Sequence, residues 1–376
     1  MKGPIVMNRT FRTPRTVRTV RTMVVAAIVG VGVTIAAQSG VPEISFTAAD
    51  LLRMPVEGPF VGEVAGVGAN SRGQIFVYTR TGHPYATLGD NRTFSRGGSK
   101  LFLFDAKGNF VREWGQDVYG FNAAIGLRID AQDNVWTIDA AANQVVKFNA
   151  DGSVGLVLGR KPETIPVRPA APAAPAGAPG AGGGGGQGGG RPPGVPVEGS
   201  GFNRPTDVAW DKAGNIYVAD GIGTNNRIAK LDKDGRFIKH WGSTGNGPGQ
   251  FNGVKALALD AQGNVYAADA VNKRIQVFDG EGKFLREFGN VGTPLAMCMT
   301  RGATQYLYVS HAGDEDGMED AAIYKVTLDG KVVGKFGGAG KLLKEFGLAN
   351  SIDCRSENEL LIGEMTNWRV QKVSLK

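Results

Sequence analysis

The sequence predicts an all-β protein, a β-propeller of six four-stranded antiparallel blades. Three observations lead there. A phrase recurs: Gly214–Gly242 reads "GNIYVADGIGTNNRIAKLDKDGRFIKHWG" and Gly263–Gly289 reads "GNVYAADAVNKRIQVFDGEGKFLREFG". Within the phrase, short alternating runs ("NVYAADA", "RIQVFD", "KFLREFG") are separated by turn chemistry such as "GEG", and "VKALALD" adds a fourth run upstream. The unit then restarts after roughly 45 residues, the period of one propeller blade.

Further copies follow the same order. Residues 59–117 hold "GQIFVYTR", "KLFLFDAKG" and "FVREWG" around a long insertion; Gly120–Arg160 holds "GLRID", "NVWTID" and "QVVKFNADG". Gly201–Gly245 and Gly249–Asn290 are the two clear copies, and Val291–Gly340 is a worn one. The last copy, beginning "LANSID", stops at Lys376 after three strands. A missing fourth strand would leave an open sheet edge. "DLLRMPV" (Asp50–Val56) is expected to fill it, so that both chain ends close the ring. Residues 161–199 hold nine of the 18 prolines, a run of glycines and no aromatic residue. Such a segment cannot bury a core and is expected to be a disordered loop between the second and third blades of one continuous domain, 41–376.

The 376 residues carry a net charge of +7. Lys2, Arg9, Arg12, Arg15, Arg18 and Arg21, with no acid before residue 41, account for six of the seven charges. The folded part is therefore near neutral, which excludes a nucleic-acid partner, whose binder carries its basic excess on the domain. The basic stretch precedes the apolar run Met23–Ala37 and the small residues "QSG". Residues 1–40 read as an export signal, with an uncleaved N-terminal anchor as the alternative and this segment as the only membrane contact. The expected location is periplasmic or extracellular. The two cysteines, Cys298 and Cys354, read as separate small buried thiols; a bridge is the alternative in an oxidising compartment.

The phrase resembles the NHL repeat from about residue 45 to the C-terminus. The order of "FNRPTDVAWDKAGNIYVADG", "HWG", "GPGQF" and "NKRIQVFD" is similar to the lyase half of peptidylglycine α-amidating enzymes. That resemblance implies an extracytoplasmic zinc lyase. Its zinc would sit in the central channel on three histidines, one at the start of the innermost strand of each of three blades, beside a tyrosine and an arginine. Carried over position by position, the histidines fall at Ile125, Lys255 and Asn350. The tyrosine falls at Ile222 and one arginine at Ala270, while the blade-one arginine persists as Arg80. Isoleucine has no lone pair, lysine brings a second positive charge, and asparagine is a weak zinc ligand. Zinc is therefore not expected.

The residues left to carry a ligand are Arg80, His83, Thr206, Lys255, His311 and Asn350. Ile125, Thr206, Lys255 and Asn350 are expected to line the channel. Lys255 with Arg80 would make its mouth cationic and suited to an anionic group. If Lys255 is instead structural, it pairs with a neighbouring Asp or Glu, Glu364 being one candidate. His83 and His311 follow second strands and face the rim that collects the insertion Thr81–Gly98, residues 161–199, Ile222–Asn226 and His311–Ala321; long loops on one rim mark a binding face. Within "HAGDEDGMED", Asp314, Asp316 and Glu319 are candidate calcium ligands, although a solvated acidic loop accounts for them without a metal. The acids Asp139, Asp220 and Asp269 end the second strand of successive blades, and a residue repeated in every blade reads as structural. These readings favour a module that binds a peptide, a small anionic ligand or another protein. The alternative is an enzyme, either amidating-lyase-like or a hydrolase of esters or lactones, as other six-bladed propellers are.

Overall fold

The computed structural model describes residues 40–81, 98–160, 201–312, 321–354 and 356–376, with backbone alone for 85–88 and 92–95. The expected signal segment before Gly40, the proline–glycine segment 161–199, His83 and the acidic residues Asp314, Asp316 and Glu319 lie outside the described residues. Val41–Lys376 form one compact unit.

Six four-stranded antiparallel sheets make up that unit. From the innermost strand outward, blade 1 is Glu63–Ala69, Ile75–Arg80, Ser99–Phe104 and Phe110–Trp114. Blade 2 is Ala124–Ile129, Val135–Asp139, Gln144–Phe148 and Val154–Gly159. Blade 3 is Asp207–Trp210, Ile216–Asp220, Arg227–Leu231 and Phe237–Trp241, and blade 4 is Val254–Leu259, Val265–Asp269, Arg274–Phe278 and Phe284–Phe288. Blade 5 is Pro294–Met299, Tyr306–His311, Ile323–Thr327 and Val332–Phe336.

Blade 6 shows the expected closure by both chain ends, with one correction. Its inner strands Ala349–Asp353, Glu359–Glu364 and Arg369–Leu375 are completed by Phe46–Asp50, not by Asp50–Val56. The apolar Leu51, Leu52 and Met54 pack instead on the cluster around Phe102 and Phe104 of blade 1. There Arg53 bonds to the backbone of Gly108 and Phe110. The more apolar stretch thus covers the neighbouring blade, and the weaker alternation of "FTAAD" forms the strand.

Faces between blades are buried by side chains at repeating positions. Tyr217, Tyr266 and Tyr308 each stand three residues before the end of a second strand and are fully buried. Each hydroxyl donates to a turn carbonyl of the next blade, at Gly280, Leu328 and Glu357 respectively. The ring thus fills the gap between sheets while its polar tip stays satisfied.

The repeated acids are saturated with donors. Asp139 accepts from the backbone of Asn122, Ala123 and Ala142 and from the Tyr78 hydroxyl. Asp220 accepts from the Asn203 backbone, Asn225 and Arg227, and Asp269 from the Asn252 backbone, Asn272, Arg274 and Gln276. Glu364 takes the position in blade 6, with Gly347, Asn367, Arg369 and Gln371 as donors. Each carboxylate ties a second strand to the loop entering its own blade.

Candidate functional site

The innermost strands share a local irregularity that builds the site. Pairing with the second strand slips between Val64 and Gly66, Ala124 and Gly126, Val254 and Leu257, Pro294 and Met297, and Ala349 and Ser351. In blade 3 the regular ladder starts only at Asp207, just after Thr206. One residue per blade therefore leaves the ladder at the same height: Ala65, Ile125, Thr206, Lys255, Leu295 and Asn350. A bulge turns a side chain out of the regular alternation. Five of these six, Ile125, Thr206, Lys255, Leu295 and Asn350, line one narrow compartment of about 20 Å³ at the start of the channel. This is the edge on which the inter-blade loops and the second-to-third strand loops lie.

Three ring members have settled partners or lack them in an informative way. The Thr206 hydroxyl donates to the Val254 carbonyl at 2.8 Å, tying blade 3 to blade 4. The Asn350 amide donates to the carbonyls of Ala65 at 2.8 Å and Ile125 at 2.9 Å, bridging blade 6 to blades 1 and 2. Lys255 makes no hydrogen bond or ion pair with any described residue. The pairing with Glu364 that the sequence allowed is not formed, because Glu364 is wholly taken up by Arg369, Gln371, Asn367 and Gly347. Burial pushes the Lys255 amine below the usual lysine range, and the guanidinium groups of Arg204 and Arg80 push the same way. Arg80 rests against Glu63 at 2.7 Å. Arg204 is exposed on the loop that enters blade 3.

Below the ring the channel is crossed by a pair that sequence reasoning missed. Arg128 of blade 2 reaches Asp207 of blade 3 through Nε at 2.8 Å and Nη2 at 2.5 Å. The same Nη2 donates to the Met297 carbonyl of blade 5 at 3.0 Å. Asp207 also accepts the Leu257 N–H of blade 4. Four blades therefore meet at one bidentate pair, a geometry stronger and more directional than a single contact. Arg128 lines both the upper compartment and a second one of about 240 Å³ toward the opposite mouth. The signal was an arginine within the innermost-strand run "GLRID", but its partner lies in another blade.

The lower compartment is lined by the Cys298–Cys354 bridge, which corrects the expectation of separate thiols. The cysteines sit three and four residues past the bulges of adjacent innermost strands, which brings their Cα atoms to 5.9 Å. The bridge points to an oxidising, extracytoplasmic environment.

His311 is buried and lies outside both compartments. It occupies the repeat-acid position of blade 5, and its Nδ1 accepts the Thr293 N–H at 2.8 Å, the bond that Asp220 and Asp269 accept elsewhere. Its ring packs against Tyr324. Among the described residues no group of three or more His, Cys, Asp or Glu could hold a metal. The ring of Ala65, Ile125, Thr206, Lys255, Leu295 and Asn350 offers no imidazole, thiolate or carboxylate, so it does not fit the zinc of the amidating lyases.

The architecture defines the class: an all-β six-bladed propeller of four-stranded antiparallel blades. The chain is related to NHL repeat-containing proteins and to the peptidylglycine amidating enzymes. A family model described as a 6-bladed beta-propeller matches residues 202–341. Human "NHL repeat-containing protein 3" is 30% identical over 203 residues, covering 52% of this chain and 49% of that protein. Drosophila melanogaster "Peptidyl-alpha-hydroxyglycine alpha-amidating lyase 1" is 29% identical over 258 residues, covering 63% and 41%. The chain thus spans half or less of the length of these relatives. The solved structure of a streptogramin B lyase superimposes with a TM-score of 0.53 at 13% identity, over 88% of this chain and 98% of that one, a likeness of fold.

Proposed function

We propose that this chain is an exported binding module that takes a carboxylate-bearing small ligand at its loop-rich channel mouth. The observation that carries the reading is Lys255, a half-buried cation on the channel wall with no acid partner among the described residues. Arg80 and Arg204 lie close enough to act on its charge. Arg80 is balanced by Glu63, so Lys255 and Arg204, with a neutral ring beside them, favour an anion, and partial burial strengthens that attraction over its value in water. Phe60, Tyr119, Val271, Leu342 and Trp368 are exposed large apolar residues on loops of the same face. They add contact area for the rest of a ligand.

The test is isothermal titration of lactate into the full chain and into Lys255→Met. The reading expects saturable binding that weakens at least about tenfold in the variant, the loss of one charge-assisted contact. Equal affinity in both proteins would overturn it. The sequence likeness to amidating lyases keeps a second reading, an enzyme of that type using a metal bound elsewhere. Stoichiometric zinc in the purified protein would favour it over the binding module.

A further inference from the structure

We propose that the lower compartment is a binding site for a small, uncharged aromatic molecule carrying one hydrogen-bond-accepting oxygen. The site is separate from the anion mouth and stands or falls without it. Three residues past the bulge position of each innermost strand come Gly68, Arg128, Ala209, Ala258, Cys298 and Asp353, one per blade, and all six line this compartment. Three of them are glycine or alanine. The channel therefore widens here to about 240 Å³, against about 20 Å³ above. An apolar cavity of about 150 Å³ holds benzene, so the larger space suits one ring with a short substituent.

The walls select the ring. Met297, Met299 and the Cys298–Cys354 bridge make a sulfur-rich side in blades 5 and 6, and Trp210 and Leu259 stand on blades 3 and 4. Trp210, Leu259, Cys298 and Met299 are each only half-buried, so apolar surface remains to be covered. Removing it from water favours any apolar ligand. Sulfur at the edge of an aromatic ring adds an attraction that an aliphatic ligand lacks.

The floor selects the oxygen. Nε and Nη2 of Arg128 are bound to Asp207, and Nη2 also donates to the carbonyls of Leu257 and Met297. No described residue accepts from Nη1, which lies on the edge of the guanidinium turned away from Asp207. Asp207 lines only the upper compartment, whereas Arg128 lines both, so the free donor faces the lower one. The other polar side chains of the wall are engaged by the protein. Asp353 accepts the Ala69 N–H at 2.6 Å, and Thr300 accepts the Tyr306 N–H. Gln305 accepts the Ala261 N–H and donates to the Thr300 carbonyl. The compartment thus offers a donor and calls for an acceptor. That acceptor is uncharged, because Asp207 already balances Arg128 and Asp353 adds a carboxylate to the wall. The further cation, Arg301, is exposed at the rim, where water hydrates it.

The experiment is isothermal titration of acetophenone into the full chain. The proposal expects one saturable site. Ethylbenzene, which keeps the ring and lacks the oxygen, should bind at least about tenfold more weakly, the loss of one hydrogen bond to a charged donor. Benzoate, which brings a charge, should also bind more weakly than acetophenone. Ala258→Leu and Met299→Trp each fill the compartment without touching the Arg128–Asp207 pair, and each should weaken acetophenone at least about tenfold. Absence of saturable acetophenone binding would overturn the proposal. So would equal affinity for ethylbenzene, tighter binding of benzoate, or unchanged affinity in both filled variants.

Discussion

Removing the charge of Asp207 tests the channel-spanning pair directly. Its side chain is 6% exposed and that of Arg128 is 20% exposed, so Asp207→Asn leaves a largely buried guanidinium uncompensated. Breaking a buried pair from one side costs about 3–5 kcal/mol. The partial exposure of Arg128 to both compartments places the expected cost near the lower bound, about 3 kcal/mol. A domain of this size loses roughly 1.5–2 °C of melting temperature per kcal/mol, so the variant should melt about 5 °C below the native protein. Thermal melts followed by circular dichroism would read this. The double variant Arg128→Met/Asp207→Leu removes both charges and keeps apolar volume, and should recover most of the loss. A single variant that melts within about 1 °C of the native protein would refute the reasoning.

Lys255→Met should stabilise the fold near neutral pH. The native lysine is depressed below its unfolded value, chiefly by burial. In the window between the native and unfolded values the unfolded chain binds more protons, so native stability rises with pH there. The melting advantage of the variant should therefore shrink as pH climbs toward the unfolded lysine value; an advantage that grew with pH would contradict the assignment. Cys298→Ser under otherwise identical conditions opens a loop with a sequence separation of 56 and should cost about 2–4 kcal/mol in denaturant unfolding. Asn350→Ala strips the shared donor from the Ala65 and Ile125 carbonyls and should cost about 1–3 kcal/mol in the same assay, since both acceptors lose a partner.

The ring positions were legible in the sequence because the repeat supplies its own register. Once "NVYAAD" and "NIYVAD" are aligned, the residue at the start of each inner strand follows by counting, and Ile125, Thr206, Lys255 and Asn350 fall together. The role of Asp139, Asp220 and Asp269 was legible for the same reason. Contacts between blades were not. Arg128 meets Asp207, and Cys298 meets Cys354, only because the ring closes and brings neighbouring inner strands to one axis. No local period encodes that distance. His311 misled in a specific way: a lone histidine at the rim reads as a ligand until its register shows it standing in for the repeat acid. Phe46–Asp50 was passed over because Leu51, Leu52 and Met54 carry the stronger apolar signal while covering blade 1.

The central claim is that the channel mouth between Lys255, Arg80 and Arg204 is an anion site. Crystals soaked in bromide and measured at its absorption edge test it most directly. The account predicts the strongest anomalous peak of the propeller beside Lys255 Nζ, and its disappearance in Lys255→Met. Bromide found only on scattered surface lysines and arginines, with nothing at the mouth, would contradict it.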